Sequence, residues 1–322
     1  MLFIKCKNNG IVANPFQSRE ITHAFHDVDG THSLIREWLP VMSMVLFDVI
    51  ENGLPDKYDS DENIKRLVGQ SGEKSLPETD KFCIESAGLS ALTQMEWAIR
   101  RAIQNNKVDI NCDKNINAAI IDLIWNGNEI NDDLHESQEI NVFLDENTPR
   151  LFKFYEKILN GFCRDSNLAK ARKNPEEWRV KGSLEFIKFL KDSGVRNYFI
   201  TGAVVEKGMG MYEEIESLGY EIGENCLVEN VFGSTWSEKV PKNMIMMELC
   251  ERFKIRGENI IVVGDGRSEI QAGIKMNSVT ISRLPSDAIR QRELHRQFGT
   301  NLIVEDFSDL LLYDLFEIEK GE

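Results

Sequence analysis

Apolar residues recur at two different periods along this chain, and the change of period divides it. After Ser33, a candidate helix cap, Leu34, Ile35, Trp38, Leu39, Met42, Val45, Leu46 and Val49 follow a helical repeat. Pro40 interrupts it, which predicts a kink or a split. Helical patterns return at Leu89–Ala102, Asn115–Trp125 and Leu151–Phe162, with no alternating strand between them. From Lys181 onward the pattern is regular α/β. Ser183–Ser193, Val205–Leu218, Lys242–Phe253, Ser268–Met276 and Phe307–Phe316 read as helices. Asn197–Ile200, Cys226–Phe232, Asn259–Val263, Val279–Ser282 and Asn301–Val304 read as strands. Two further strands are expected early, at Met1–Ile4 and Ile21–His26.

Strands alternating with helices imply a doubly wound, Rossmann-like parallel sheet with right-handed crossovers. The expected α/β fold therefore has a core of 1–34 and 178–322, interrupted by a mostly α-helical domain at 35–177.

Composition narrows the class. The 322 residues are 42% hydrophobic and 28% charged, which suits a globular chain with a substantial core. No apolar run approaches the ~18 residues of a membrane span. Lys and Arg number 38 against 53 Asp and Glu, a formal charge of −15. Such a surface repels phosphate backbones and anionic membranes, so neither nucleic acid nor membrane is expected as a partner. The six cysteines are scattered and include no C-x-x-C pair, arguing against a disulfide framework or a thiolate zinc site. The N-terminus has the wrong order for a signal peptide, and a reducing cytoplasm is the expected compartment.

The acidic turn Asp27-Val28-Asp29-Gly30-Thr31 closes a strand. Two carboxylates two positions apart can divide labour, one as nucleophile and metal ligand, the other holding a proton for a leaving group. The alternative is an acidic surface turn. Thr201-Gly202 also follows a strand and precedes a predicted helix, which suits either a phosphate cradle or an ordinary cap. Gly264-Asp265-Gly266-Arg267-Ser268-Glu269 places acids on another glycine turn after an apolar strand, with oxygen ligands that suit Mg²⁺. Lys242 begins a helix, and Lys239 competes with it as a phosphate-neutralising cation. In open α/β sheets these strand ends form the ligand-binding edge.

Taken in order, these motifs resemble the haloacid dehalogenase-like superfamily. Lys181-Gly182-Ser183 and Val304-Glu305-Asp306-Phe307 add support. The resemblance implies that Asp27 attacks phosphorus and becomes an aspartyl-phosphate, while Asp29 exchanges protons with the leaving group and then with water. Thr201, Gly202 and Lys242 would bind phosphoryl oxygens. Mg²⁺ would sit on Asp27, the Asp29 main-chain carbonyl and Asp265, with Glu269 acting through water. The second Asp implies a phosphatase acting on small phosphate monoesters, such as a sugar phosphate or phosphoglycolate. A phosphotransferase or mutase using the same intermediate is the alternative, and a catalytically idle binding protein is another.

His26 and His32 depart from the family pattern. His26 reads either as a satisfied strand-end histidine or as a group tuning Asp27. The inserted domain would be a cap that selects substrate, with Arg36, Glu85, Ser86, Gln94, Arg100 and Arg101 as candidates. The basic groups Lys170–Lys173 and Arg290, Arg292, His295 and Arg296 read as solvated surface.

Overall fold

The computed structural model describes residues 9–35, 38–55, 60–73, 75–86, 89–126, 136–236 and 240–314. The expected first strand, Met1–Ile4, and Arg36 and Lys239 lie outside these residues. The chain divides into two compact units. One comprises Met1–Ile35, Leu168–Ser234 and Val240–Glu322, and the other Arg36–Asn167 with Thr235–Lys239.

The first unit is built on a sheet of β1 (Ile11–Val12), β2 (His23–His26), β3 (Arg196–Glu206), β4 (Met209–Gly210), β5 (Asn230–Ser234), β6 (Ile260–Gly264), β7 (Val279–Arg283) and β8 (Leu302–Val304). The order is β1-β8-β7-β6-β2-β3-β4, with β5 also pairing with β3. The β8, β7, β6, β2, β3 and β5 ladders are all parallel. β1 runs antiparallel to β8, and β4 antiparallel to β3. β6 is the unbroken apolar run Ile260-Ile261-Val262-Val263-Gly264, buried throughout. Its alternate residues enter different clusters, Ile261 and Val263 with Phe186 and Phe307, Ile260 and Val262 with Phe25 and Met246. That is the signature of a strand covered on both faces. His26 stands level with Phe199 of β3 and Val263 of β6, so the residues that follow these three share one edge.

The second unit is helical: α1 (Trp38–Asn52), α2 (Asp61–Gln70), α3 (Pro77–Glu85), α4 (Ala91–Gln104), α5 (Lys114–Trp125) and α6 (Gln138–Leu159), the last running into a π-helical turn at Asn160–Arg164. Pro40 is the third residue of α1, in the first turn, where its missing N–H breaks no intrahelical bond. Leu34 and Ile35 are not helical, and the described helix runs from Trp38. Ser33 does not cap it; its hydroxyl donates to Glu214 at 2.6 Å. Phe82 stacks on Trp97 at 3.8 Å and Trp125 meets Trp97 edge-on. Arg100, 2% exposed, is gripped by Glu96 at 2.8 Å and by both oxygens of Glu136 at 2.7 Å.

The remaining helices are α7 (Asp165–Ala171), α8 (Pro175–Trp178), α9 (Ser183–Asp192), α10 (Met211–Ser217), α11 (Lys242–Phe253), α12 (Arg267–Lys275), α13 (Ile289–Phe298) and α14 (Leu310–Asp314). Gly182 caps α9 at φ +74, and a Cβ there would strike the Phe307 backbone at 2.5 Å.

Further expectations fail here, and the helix expected at Phe307–Phe316 is described only over Leu310–Asp314. Val205–Leu218 is not a single helix, because β3 continues through Thr201-Gly202 to Glu206 and turns back as β4. The β-branched pair Val204-Val205 extends the strand, Val204 pairing with Ser234 of β5, and Gly208 at φ +80 permits the tight reversal. The strand expected at Cys226–Phe232 lies at Asn230–Ser234. Among the described residues, no helix is long and apolar enough to cross a membrane.

Candidate active site

The parallel register brings the two glycine turns together. The Asp27 amide donates to the Val263 carbonyl at 2.8 Å, seating the first turn against the end of β6. Gly30 has φ +73, and a Cβ on it would lie 2.2 Å from Asp265 Oδ2. Only glycine permits both the left-handed turn and that approach. Thr31 Oγ1 donates to Asp265 Oδ1 at 3.1 Å, linking the turns directly.

Lys242, 3% exposed at the start of α11, donates to Asp27 Oδ1 at 2.6 Å and to Glu269 Oε2 at 3.3 Å. The other Glu269 oxygen accepts the Gly266 amide at 2.6 Å, and Ser268 Oγ donates to Oε2 at 3.2 Å. Lysine, glutamate and turn therefore brace one another. Oxygens of Asp27, Asp265 and Glu269 lie within 4.8 Å of one another.

Three carboxylates and one lysine give this cluster surplus negative charge when all are ionised, and the titration tendencies follow. Burial, then the charges of Asp27 and Glu269, push Asp265 well above the ordinary carboxylate range. Burial also raises Asp27, against the pull of Lys242. Burial acts upward on Glu269 too, but Lys242 and the backbone N–H groups outweigh it and lower the carboxyl. Burial disfavours the Lys242 ammonium, yet Asp27 and Glu269 overcome that and raise its pKa. Hard oxygen donors at this spacing, with surplus negative charge, fit a small divalent cation such as Mg²⁺.

The structure thus brings Asp27, Lys242, Asp265 and Glu269 into one cluster. Asp29 lies in the same turn, its residue bridged to Ser33. Thr201 is buried one step beyond Ile200 at the same edge, but inside a strand rather than at a helix N-terminus. Its Oγ1 accepts the Ala203 amide at 3.1 Å, leaving the hydroxyl proton to donate elsewhere. Gly202 follows it, partly exposed.

Other expected residues have structural partners. Arg100 is locked in its ion-pair network, Gln94 donates to Ser86 Oγ at 2.9 Å, and Glu85 accepts the Trp125 indole N–H at 2.8 Å. Arg101 pairs with Glu78 at 2.5 Å. His295 is not surface: it is 2% exposed, bonds Ser282 Oγ at 2.9 Å, and feels the charge of Glu269.

His26 is a satisfied strand-end histidine, but sequence reasoning missed the buried polar chain it belongs to behind the Asp27–Thr31 turn. Both amide hydrogens of Asn197 are engaged, by the carbonyls of Ile187 and Leu227, so its Oδ1 accepts from His26 Nε2 at 3.1 Å. A neutral His26 then accepts at Nδ1 from His32 Nε2, also 3.1 Å away. His32 Nδ1 accepts from Ser183 Oγ at 2.5 Å, and Ser183 accepts from the Tyr220 hydroxyl. The network assigns every proton one direction. Burial pushes His26 down to about 4 and His32 well below its ordinary value, which keeps both rings neutral as the chain requires. The two histidines flank the Asp27–Thr31 turn and clip its ends together. The spacing of His26 and His32 around that turn was the available signal.

A second missed residue is Arg283, at the end of β7. Its Nη1 donates to the Gly30 carbonyl at 2.8 Å and its Nε to the Glu305 carbonyl at 2.9 Å. Burial lowers its pKa, while Asp265, Asp306 and Glu305 act the other way.

No protein-family model matches the chain, and no curated protein matches it. Solved structures do. A predicted phosphatase from Clostridium acetobutylicum is 13% identical, with a TM-score of 0.50 over 93% of this chain and 100% of that one. A predicted phosphoglycolate phosphatase from Haemophilus somnus is 14% identical, with a TM-score of 0.48 over 92% and 99%. A β-phosphoglucomutase from Clostridium difficile is 10% identical, with a TM-score of 0.48 over 93% and 99%. At such identities the first likeness is one of fold alone, and that fold is the α/β one expected from the sequence.

Proposed function

We propose that this chain is a Mg²⁺-dependent phosphatase that hydrolyses small phosphate monoesters through an aspartyl-phosphate on Asp27. The observation that carries the reading is the cluster at the sheet edge. Asp27 is held by Lys242 at 2.6 Å, within 4.8 Å of Asp265 and Glu269, in a setting with more negative than positive charge. Three carboxylates facing one lysine leave negative charge that a bound cation would offset.

The Asp27 carboxylate attacks phosphorus, and the bond to the leaving oxygen breaks as that oxygen takes a proton from Asp29. Asp29, now ionised, removes a proton from water. The water oxygen bonds to phosphorus, the bond to Asp27 breaks, and inorganic phosphate leaves. Lys242 orients Asp27 and offsets charge on the phosphoryl group, and the Thr201 hydroxyl with the Gly202 amide receives phosphoryl oxygens. Asp27, the Asp29 carbonyl, Asp265 and Glu269 would hold Mg²⁺, which supplies the positive charge that lets two anions approach.

The test is release of phosphate from a panel of phosphorylated metabolites, with and without Mg²⁺. Mg²⁺-stimulated release that vanishes in Asp27→Asn, with the fold intact, is the expected result. Transfer to an added alcohol with little free phosphate would identify a phosphotransferase instead. No turnover across the panel would favour a binding protein.

A further inference from the structure

Arg283 touches the nucleophile turn, yet the chemistry above gives it no part. It closes β7, which is separated from β2 by β6. Its side chain therefore reaches past the strand that carries Asp265 to bond the Gly30 carbonyl. Its Nε holds Glu305, just beyond β8. One planar fork thus fixes two carbonyls on two separate loops, which a flexible lysine ammonium cannot reproduce.

The peptide it steadies lies beside the metal-binding atoms. The Gly30 amide donates to the Ser33 carbonyl at 3.1 Å. In a trans peptide the Asp29 carbonyl points the opposite way from that N–H. The bond to Ser33 therefore aims the Asp29 oxygen, and the bond from Arg283 fixes the peptide that follows. Gly30 abuts Asp265, and Thr31 bonds it. Rotation of the Gly30 carbonyl would swing the Thr31 amide with it, disturb the Thr31–Asp265 contact and loosen the turn that holds the Asp29 oxygen.

We propose that Arg283 is a positioning residue for the cation site: it fixes the Asp29-Gly30-Thr31 turn so that the Asp29 carbonyl oxygen and the Asp265 carboxylate face one ion. This rests on the metal reading above. The charge of Arg283 works against cation binding while its geometry works for it, so removing it gives opposite results under the two roles. If it acts only as a nearby charge or a brace of the sheet edge, its loss leaves Mg²⁺ affinity unchanged or improved. If it positions the turn, its loss weakens affinity despite the electrostatic gain.

Isothermal titration of the full chain with Mg²⁺ distinguishes these, comparing wild type, Arg283→Met and Arg283→Lys, with circular dichroism as the folding control. The dissociation constant should rise about tenfold or more in Arg283→Met, the scale seen when outer contacts of a metal site are lost. Arg283→Lys, which keeps the charge but holds one carbonyl at most, should recover only part. Should the Met variant not fold, the Lys variant decides alone, since wild-type affinity there overturns the proposal. Wild-type or tighter binding in Arg283→Met overturns it also and leaves the metal reading standing. A wild-type chain that does not bind Mg²⁺ removes that reading, and this proposal with it.

Discussion

Replacing Asp265 by Asn should make the metal-free protein more stable, the reverse of the usual effect of altering a buried polar residue. Oxygens of Asp265, Asp27 and Glu269 lie within 4.8 Å of one another. At an effective dielectric near 20, each like-charge pair at that distance costs about 3 kcal/mol. Attraction to Lys242 cancels about one such pair. Asn keeps the acceptor that Thr31 Oγ1 uses and adds an N–H₂ that can donate to a neighbouring carboxylate. Protonation of Asp265, which its raised pKa favours, and solvent screening relieve part of that repulsion and leave a net gain of about 1–3 kcal/mol. For a domain of 150–250 residues, each kcal/mol moves the melting temperature by roughly 2–4 °C. The assay is thermal unfolding of wild type and Asp265→Asn, in chelator and in saturating Mg²⁺. In chelator the variant should melt higher. Mg²⁺ at a hundred times its dissociation constant should then stabilise wild type by about 2.7 kcal/mol and leave the variant unmoved. A variant that melts lower in chelator, or that responds to Mg²⁺ as wild type does, would refute the reasoning.

His32→Phe preserves the stack on Phe307 but strands the His26 Nδ1 acceptor and the Ser183 hydroxyl. At about 1–3 kcal/mol for each buried group left unpaired, urea unfolding should show a loss of about 2–6 kcal/mol, and a loss below about 1 would contradict the directed chain. His23 is lowered to about 4 by burial and then by Arg196, and its Nε2 is buried without a partner among the described residues. Above pH ~6.5 it is neutral folded or unfolded and contributes nothing; from there down to about 4 only the unfolded chain takes up the proton, so stability falls. Unfolding free energies across that window should fall less steeply in His23→Phe than in wild type, and parallel curves would remove His23 as a source of the slope.

How much of this was readable in advance depended on whether the signal was local. Ile260–Gly264 is an apolar run too short for a helix and bounded by glycine, and it forms the buried strand its composition suggests. Asp27 and Asp265 were each legible as acids on glycine turns after strands, because turn chemistry is local. That β2 and β6 are neighbours is a matter of strand order, which no short window contains. The helix expected from Val205 was misread because Val205 and Glu206 fit a helical repeat as well as a strand, and pairing with β4 and β5 decided the outcome. Arg283 looked like any strand-end arginine, since its partner, Gly30, is distant in sequence and uses only its backbone. His295 fell within a basic stretch, and its burial against Ser282 follows from packing of α13.

The most direct test is the site of phosphorylation. Asp29→Asn protein, incubated with acetyl phosphate and Mg²⁺ and then digested, should carry a phosphoryl group on the peptide containing Asp27, and none when Mg²⁺ is chelated. A phosphoryl group on another residue, or none on Asp27 in a folded protein that binds Mg²⁺, would contradict the account.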